Sequence, residues 1–213
     1  AATCDTAYPG VKLARTVVLT PSYLLDLYSA AADQPHTYDF VWHNVGQMTP
    51  GVPTTPRAEP LGKDSGYQHF TDLQTASGAQ DWSVEFKTDK GKVRLVQAGA
   101  TGTEPFFGQG LAGRPPRPCP MVLARRQGKE ALFASAVSWS PTEPEVTAVK
   151  LLPVTMAGGG QATGLSVTRG DIEDVLIIGP AGVEKSCVGL KTTARAMLVS
   201  RQGGKVLTVR QVD

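Results

Sequence analysis

The chain has 213 residues, 41% of them hydrophobic and 19% charged, a globular composition that excludes a disordered chain. A net charge of +2 and a pI near 8.5 carry no strong basic bias, so no nucleic-acid partner is expected. No run of about 18 apolar residues occurs, so no membrane span is expected either. With 23 glycines and 16 prolines, the composition suits many strands joined by many turns.

The start, Ala1-Ala2-Thr3-Cys4, has neither a charged segment nor an apolar core of a signal peptide, as a processed or excised chain also would. The first β-rich run is Thr16-Val17-Val18-Leu19, stopped by Pro21; residues 23–28 give the next. Ala30-Ala31-Ala32 is too short to predict a helix. Residues 37–43 alternate: Tyr38, Phe40 and Trp42 share one face, and Thr37, Asp39, Val41 and His43 share the other. Period-two alternation predicts a half-buried strand.

Residues 46–66 hold Pro50, Pro53, Pro56 and Pro60 and predict a long surface loop. Strands resume at 82–86 and 93–96, joined by a hairpin at Asp89-Lys90-Gly91-Lys92. Residues 98–120 predict a second Gly/Pro-rich loop. Residues 121–126 and 131–139 flank Gln127-Gly128-Lys129, a second expected hairpin. Strands at 146–152, 164–168, 175–178, 194–200 and 205–209 close the chain, the last two joined at Gln202-Gly203-Gly204. No 3.6-residue period is found. Roughly a dozen strands at this spacing predict an all-β, antiparallel two-layer sandwich, jelly-roll-like, as one domain over residues 1–213.

Few motifs survive inspection. Gly108-Gln109-Gly110-Leu111-Ala112-Gly113 has dinucleotide-binding spacing but runs into Arg114-Pro115-Pro116, which opens no helix. Residues 179–186 resemble a phosphate loop, but Glu184 stands where its second glycine is required. No nucleophile elbow occurs. Asp26, His36 and His43 are candidate metal ligands by residue type, weighed against a hydrogen-bonded histidine pair on a sheet face. Cys4, Cys119 and Cys187 match no zinc spacing; one disulfide plus a thiol, or three buried thiols, both fit. Between residues 105 and 129 the chain carries Arg114, Arg117, Arg125, Arg126 and Lys129 with no acid, beside Phe106 and Phe107. Guanidinium forks suit carboxylates and sulfates, so this run reads either as an anion clamp or as a solvated loop.

Several stretches recur in one order: Tyr8-Pro9-Gly10, Arg15-Thr16-Val17-Val18-Leu19, Tyr23-Leu24-Leu25-Asp26, and His36-Thr37-Tyr38-Asp39-Phe40-Val41-Trp42-His43. Lys92-Val93-Arg94-Leu95-Val96, Met121-Val122-Leu123-Ala124-Arg125-Arg126-Gln127-Gly128-Lys129, Leu132-Phe133-Ala134-Ser135-Ala136-Val137 and Asp174-Val175-Leu176-Ile177-Ile178 follow. Together they resemble the heparinase II/III-like polysaccharide lyases over nearly the whole chain, most specifically in the His-Thr-Tyr-Asp strand ending at His43. The resemblance implies the β-sandwich portion of an enzyme that cleaves uronate glycans by β-elimination, secreted or periplasmic. In that family an (α/α) toroid carries the catalytic Asn, His and Tyr. The toroid is absent here, as is the family's metal motif, so no catalytic residue transfers and no cofactor is expected in this chain, although the parent enzyme would admit a divalent metal such as zinc.

The expected role is support of a helical toroid domain or chain and of a cleft for an anionic polysaccharide. The candidate substrate-binding residues are His36, Tyr38, His43, Arg114, Arg117, Arg125 and Arg126. The alternative is a stand-alone carbohydrate-binding module, which would expose an aromatic row. Trp42, Trp82 and Trp139 probe that, with at least two expected in the core. A third reading, a self-sufficient enzyme with a metal on Asp26, His36 and His43, ranks below both.

Overall fold

The computed structural model describes residues 1–213. It is all-β, with 63% of residues in strands and 1% in helix, arranged as antiparallel sheets without a barrel or a helical toroid. Where a single domain over 1–213 is expected, the chain divides into two compact units, Ala1–Pro144 and Glu145–Asp213.

The first unit holds β1 (Ala2–Cys4), β2 (Val11–Leu19), β3 (Leu24–His43), β4 (Gln47–Pro50), β5 (Thr55–Pro56), β6 (Thr71–Thr75), β7 (Trp82–Thr88), β8 (Gly91–Gln97), β9 (Glu104–Ala112) and β10 (Arg117–Ser140). They form one ten-stranded sheet in the order β1-β2-β3-β10-β8-β7-β4, with β9 paired to the start of β10 and β6 and β5 outside it. Its spine is the antiparallel pair β3–β10, which runs from Met121 opposite His43 to Val137 opposite Leu24.

Three expectations change here. Gln127-Gly128-Lys129 is not a hairpin. It is an irregularity inside β10, with Gly128 opposite His36 but Glu130 opposite Ala31. Gly128 takes φ 150, which few other residues adopt, and a bulge of this kind bends the strands through it. Ala30-Ala31-Ala32 belongs to β3, which continues across the bend. Residues 98–120, expected as a loop, are mostly β9 and the first residues of β10. The expected loop at 46–66 is largely irregular, but it contains β4 and β5, and Leu61 anchors it in the core.

The bend makes the sandwich. Phe40, Phe107, Val122 and Ala124 lie on one side of it, and Val84, Phe86, Leu95, Ala131 and Phe133 on the other, yet all join one core cluster. Phe40 stacks on Phe133 at 5.7 Å, and Trp82 meets Phe107 edge-on at 5.6 Å. One sheet therefore folds onto itself, and burying each of these large side chains stabilises the fold by about 1.5–3 kcal/mol. Where at least two tryptophans are expected in the core, only Trp82 is buried there; Trp42 is partly buried against the cluster, and Trp139 is 58% exposed.

The glycines of the apparent dinucleotide motif have a packing role. On β9, a Cβ at Gly108 would stand 2.6 Å from the carbonyl oxygen of Thr71, and one at Gly110 would stand 2.5 Å from His43 Nε2. Alternate glycines leave one side of β9 bare, so that the Thr71 main chain and the rings of His43 and Phe70 approach it closely.

The second unit holds β11 (Val146–Leu152), β12 (Thr155–Met156), β13 (Thr163–Arg169), β14 (Ile172–Ile178), β15 (Lys185–Cys187), β16 (Leu190–Thr192), β17 (Ala196–Gln202) and β18 (Lys205–Val212). A five-stranded sheet runs β11-β13-β14-β17-β18, and β12-β15-β16 form a small second sheet. Ile177, Met197, Val199 and Cys187 pack between them. The expected hairpin at 202–204 is present, with Gln202 opposite Lys205 and Gly203 and Gly204 both at positive φ. The segment resembling a phosphate loop is a turn before β15. Its Lys185 is fully buried and donates to the carbonyls of Pro180 (2.5 Å) and Val183 (2.8 Å), committed to the protein itself.

Candidate functional site

β2 pairs with β3 only as far as Ala32, so beyond the bend one edge of β3 is open. A cleft of about 720 Å³ lies along that edge, lined by His36 to Asp39 and Val41, by the loop carrying Tyr8 and Pro9, and by residues 64–67 with Phe70. Its volume falls in the range of small-ligand sites. Four tyrosines line it: Tyr8, Tyr28, Tyr38 and Tyr67.

These tyrosines differ in what their hydroxyls are free to do. Tyr38 is buried and donates to the carbonyl of Lys129 at 3.2 Å; burial raises its pKa. Tyr67 donates to Asp39 Oδ2, and burial together with that carboxylate pushes its phenol up to about 12. Tyr67 is thus a fixed donor at neutral pH and unsuited to serve as a base. Tyr28 stacks on Phe40 and Phe133 at 6.0 and 6.3 Å, and its raised pKa comes from burial and neighbouring charges, with no hydrogen bond contributing. Tyr8 is 62% exposed at the rim. Tyr8 therefore presents its ring and hydroxyl at the cleft, and Tyr28 its hydroxyl.

The seven expected binding residues part company. His36 lies in the cleft, exposed, with its ring 6.0 Å from that of Tyr38. His43 does not. It is seven positions further along a regularly paired stretch of β3, on the opposite face, about 23 Å away at about 3.3 Å per residue. There it packs against Phe70 at 6.5 Å, burial lowers its pKa, and its Nε2 has no hydrogen-bond partner.

Arg125 is committed beneath the cleft. Its Nε and Nη2 grip Asp39 at 2.8 and 2.6 Å, its Nη1 donates to the Leu61 carbonyl at 2.7 Å, and it sits over the rings of Tyr67 and Phe106. Arg126 is buried, donates through Nε to Thr103 at 2.8 Å and also to the Leu132 carbonyl, and lies 5.0 Å from the Phe133 ring centroid. Burial lowers its pKa. Neither guanidinium is presented to solvent as a clamp. Arg114 and Arg117 are exposed where β9 turns into β10 and do not line the cleft.

Asp26, His36 and His43 do not converge. Asp26 is fully buried and held by Arg15 at 2.9 and 2.5 Å. Ligand distances near 2 Å cannot be met by residues so far apart on one strand. The cysteines are three free thiols, but not all buried as expected: Cys119 and Cys187 are buried and Cys4 is exposed.

Sequence inspection misses the contributions of Tyr8, Tyr28 and Tyr67 to the cleft and the Asp39 partner of Arg125. Tyr8-Pro9 carries a turn signal, but nothing marks Tyr67, and Asp39 and Arg125 lie 86 residues apart. No protein-family model matches the chain, and no curated protein sequence matches it.

Proposed function

We propose that the first unit is a glycan-binding β-sandwich, the portion of a heparinase II/III-like polysaccharide lyase that supports the catalytic toroid and backs the sugar cleft. The observation that carries this reading is the tyrosine-lined cleft on the His36-Thr37-Tyr38-Asp39 strand, the segment in which the sequence resemblance is most specific. Aromatic faces pack against the apolar faces of sugar rings, and their hydroxyls with the His36 imidazole bond to hydroxyl and carboxylate groups. The Arg125–Asp39–Tyr67 network supports the cleft wall instead of touching sugar. Arg114 and Arg117 remain the exposed cations available to a longer anionic chain.

Titration calorimetry of the chain against uronate polysaccharides tests the binding. Tyr8→Ala and Tyr28→Phe are expected to weaken it about tenfold each, the worth of one aromatic or hydrogen-bonding contact. Binding that ignores both substitutions would place the glycan elsewhere, and no binding to any member would end the reading. The lyase part is tested by adding a helical toroid domain of this family and watching for the ultraviolet absorbance of an unsaturated uronate. Glycan binding with no product under any such pairing would favour the stand-alone module, for which the exposed Trp139 is the one further platform.

A further inference from the structure

The second unit ends in a strand that the fold leaves uncovered. β18 is the edge of its sheet, paired with β17 alone, and each of its eight residues is exposed. Val206, Leu207, Val209 and Val212 are 51% to 63% exposed. The neighbouring strand differs: Met197 and Val199 of β17 are buried, while Val209, opposite Val199, is not. The core stops one strand short of the sheet edge. Exposed apolar edges are templates for pairing, and sequences normally blunt them.

The order of side chains along β18 points to what pairs there. We propose that a second copy of this chain adds antiparallel to β18 about a two-fold axis at Val209, joining two five-stranded sheets into one. In that register Val209 meets its own counterpart, Val206 meets Val212, and Thr208 meets Arg210. Lys205 comes opposite or diagonal to Asp213, within reach of its long side chain across the bulge at Leu207, where Arg201 pairs with Val206 but Ser200 with Thr208. A slip of one position in either direction loses both ionic pairs. Centring on Arg210 opposes two arginines, and centring on Thr208 sets Lys205 against Gln211 and leaves Asp213 without a cation. The Val209 register opposes no like charges and places both ionic pairs at the ends of the joint. A two-fold pairing of one patch with itself is the commonest way soluble chains assemble.

Sedimentation of the full chain over a concentration series reads this directly, with four proteins compared. The unmodified chain is expected to pass from monomer to dimer. Val209→Asp sets two carboxylates on the axis and is expected to hold the chain monomeric; because Val209 is half-exposed, the folded circular dichroism spectrum is expected to persist. Lys205→Asp faces Asp213 of the partner twice and is expected to weaken the dimer about tenfold. Lys205→Asp combined with Asp213→Lys reverses both signs and is expected to restore it. A chain monomeric at every concentration overturns the proposal, as does a dimer indifferent to Val209→Asp. A dimer weakened by Lys205→Asp but not restored by the double exchange overturns the register and with it the self-pairing argument.

Discussion

The Asp39–Arg125 pair gives the sharpest test of how the cleft is held. Their side chains are 10% and 12% exposed, and the guanidinium binds the carboxylate through two nitrogens while a third reaches the Leu61 carbonyl. Replacing Asp39 with Leu leaves a nearly buried cation facing one carbonyl. Replacing Arg125 with Met leaves a nearly buried anion facing one phenol. Each is expected to cost about 3–5 kcal/mol, because breaking a buried pair strands its partner's charge. The double substitution strands only the Tyr67 hydroxyl and the Leu61 carbonyl and is expected to cost about 1–3 kcal/mol. The sum of the singles therefore exceeds the double by several kcal/mol. Urea unfolding followed by tryptophan fluorescence measures this cycle cleanly, since Trp42, Trp82 and Trp139 all lie in the first unit. Additivity within about 0.5 kcal/mol would refute the pairing, because distant or solvated groups behave that way.

Four other outcomes follow from particular contacts. Gly108→Ala is expected to cost about 1–3 kcal/mol by overpacking, since its Cβ would meet the main chain of Thr71, and to loosen the Tyr67 wall; fluorescence-detected unfolding and glycan affinity should fall together. Between pH 10 and 12 the unfolded state loses the Tyr67 proton while the folded state keeps it, so stability should fall with rising pH across that window, and Tyr67→Phe should flatten the slope. Val188 sits at φ 43 in the two-residue turn between Cys187 and Leu190, followed by Gly189 at φ 79. Val188→Asn should stabilise the second unit by about 1 kcal/mol in calorimetry, because asparagine tolerates that backbone and a β-branched residue does not. Gln97 is fully buried with neither side-chain atom hydrogen-bonded to protein; Gln97→Met should stabilise the first unit by about 1 kcal/mol, and a loss of that size would mean that water satisfies the amide.

Local chemistry was legible where it was decided locally. Alternation at 37–43 and 82–86 reports which face meets the core, and the turns at 89–91 and 203–204 carry residues that only those turns need. The hairpin expected at Gln127-Gly128-Lys129 shows the limit of the same signal. A glycine between polar residues serves a turn and a bulge equally well, and only the pairing of Gly128 with His36 across the sheet decides between them. The glycines of β9 are a related case. Their spacing suggests a loop that wraps phosphate, whereas the cause is the close approach of Thr71 and His43, groups far away in sequence.

The arginines carry the largest functional consequence of this limit. An acid-free run with four arginines looks like a surface clamp when only its own neighbours are visible. Folding β10 against β3 brings Asp39 to Arg125, while Arg126 turns inward to Thr103 and the Phe133 ring, so two of the four charges hold the sandwich together. What the structure leaves open is a cleft lined by aromatic rings and hydroxyls, with His36 exposed in it. Under the proposed reading, affinity for a uronate chain should depend weakly on salt, where a four-arginine clamp would lose affinity steeply as ionic strength rises. A calorimetric titration repeated at low and high salt separates the two: near-constant affinity supports the tyrosine cleft, and a steep loss would return the binding surface to Arg114 and Arg117.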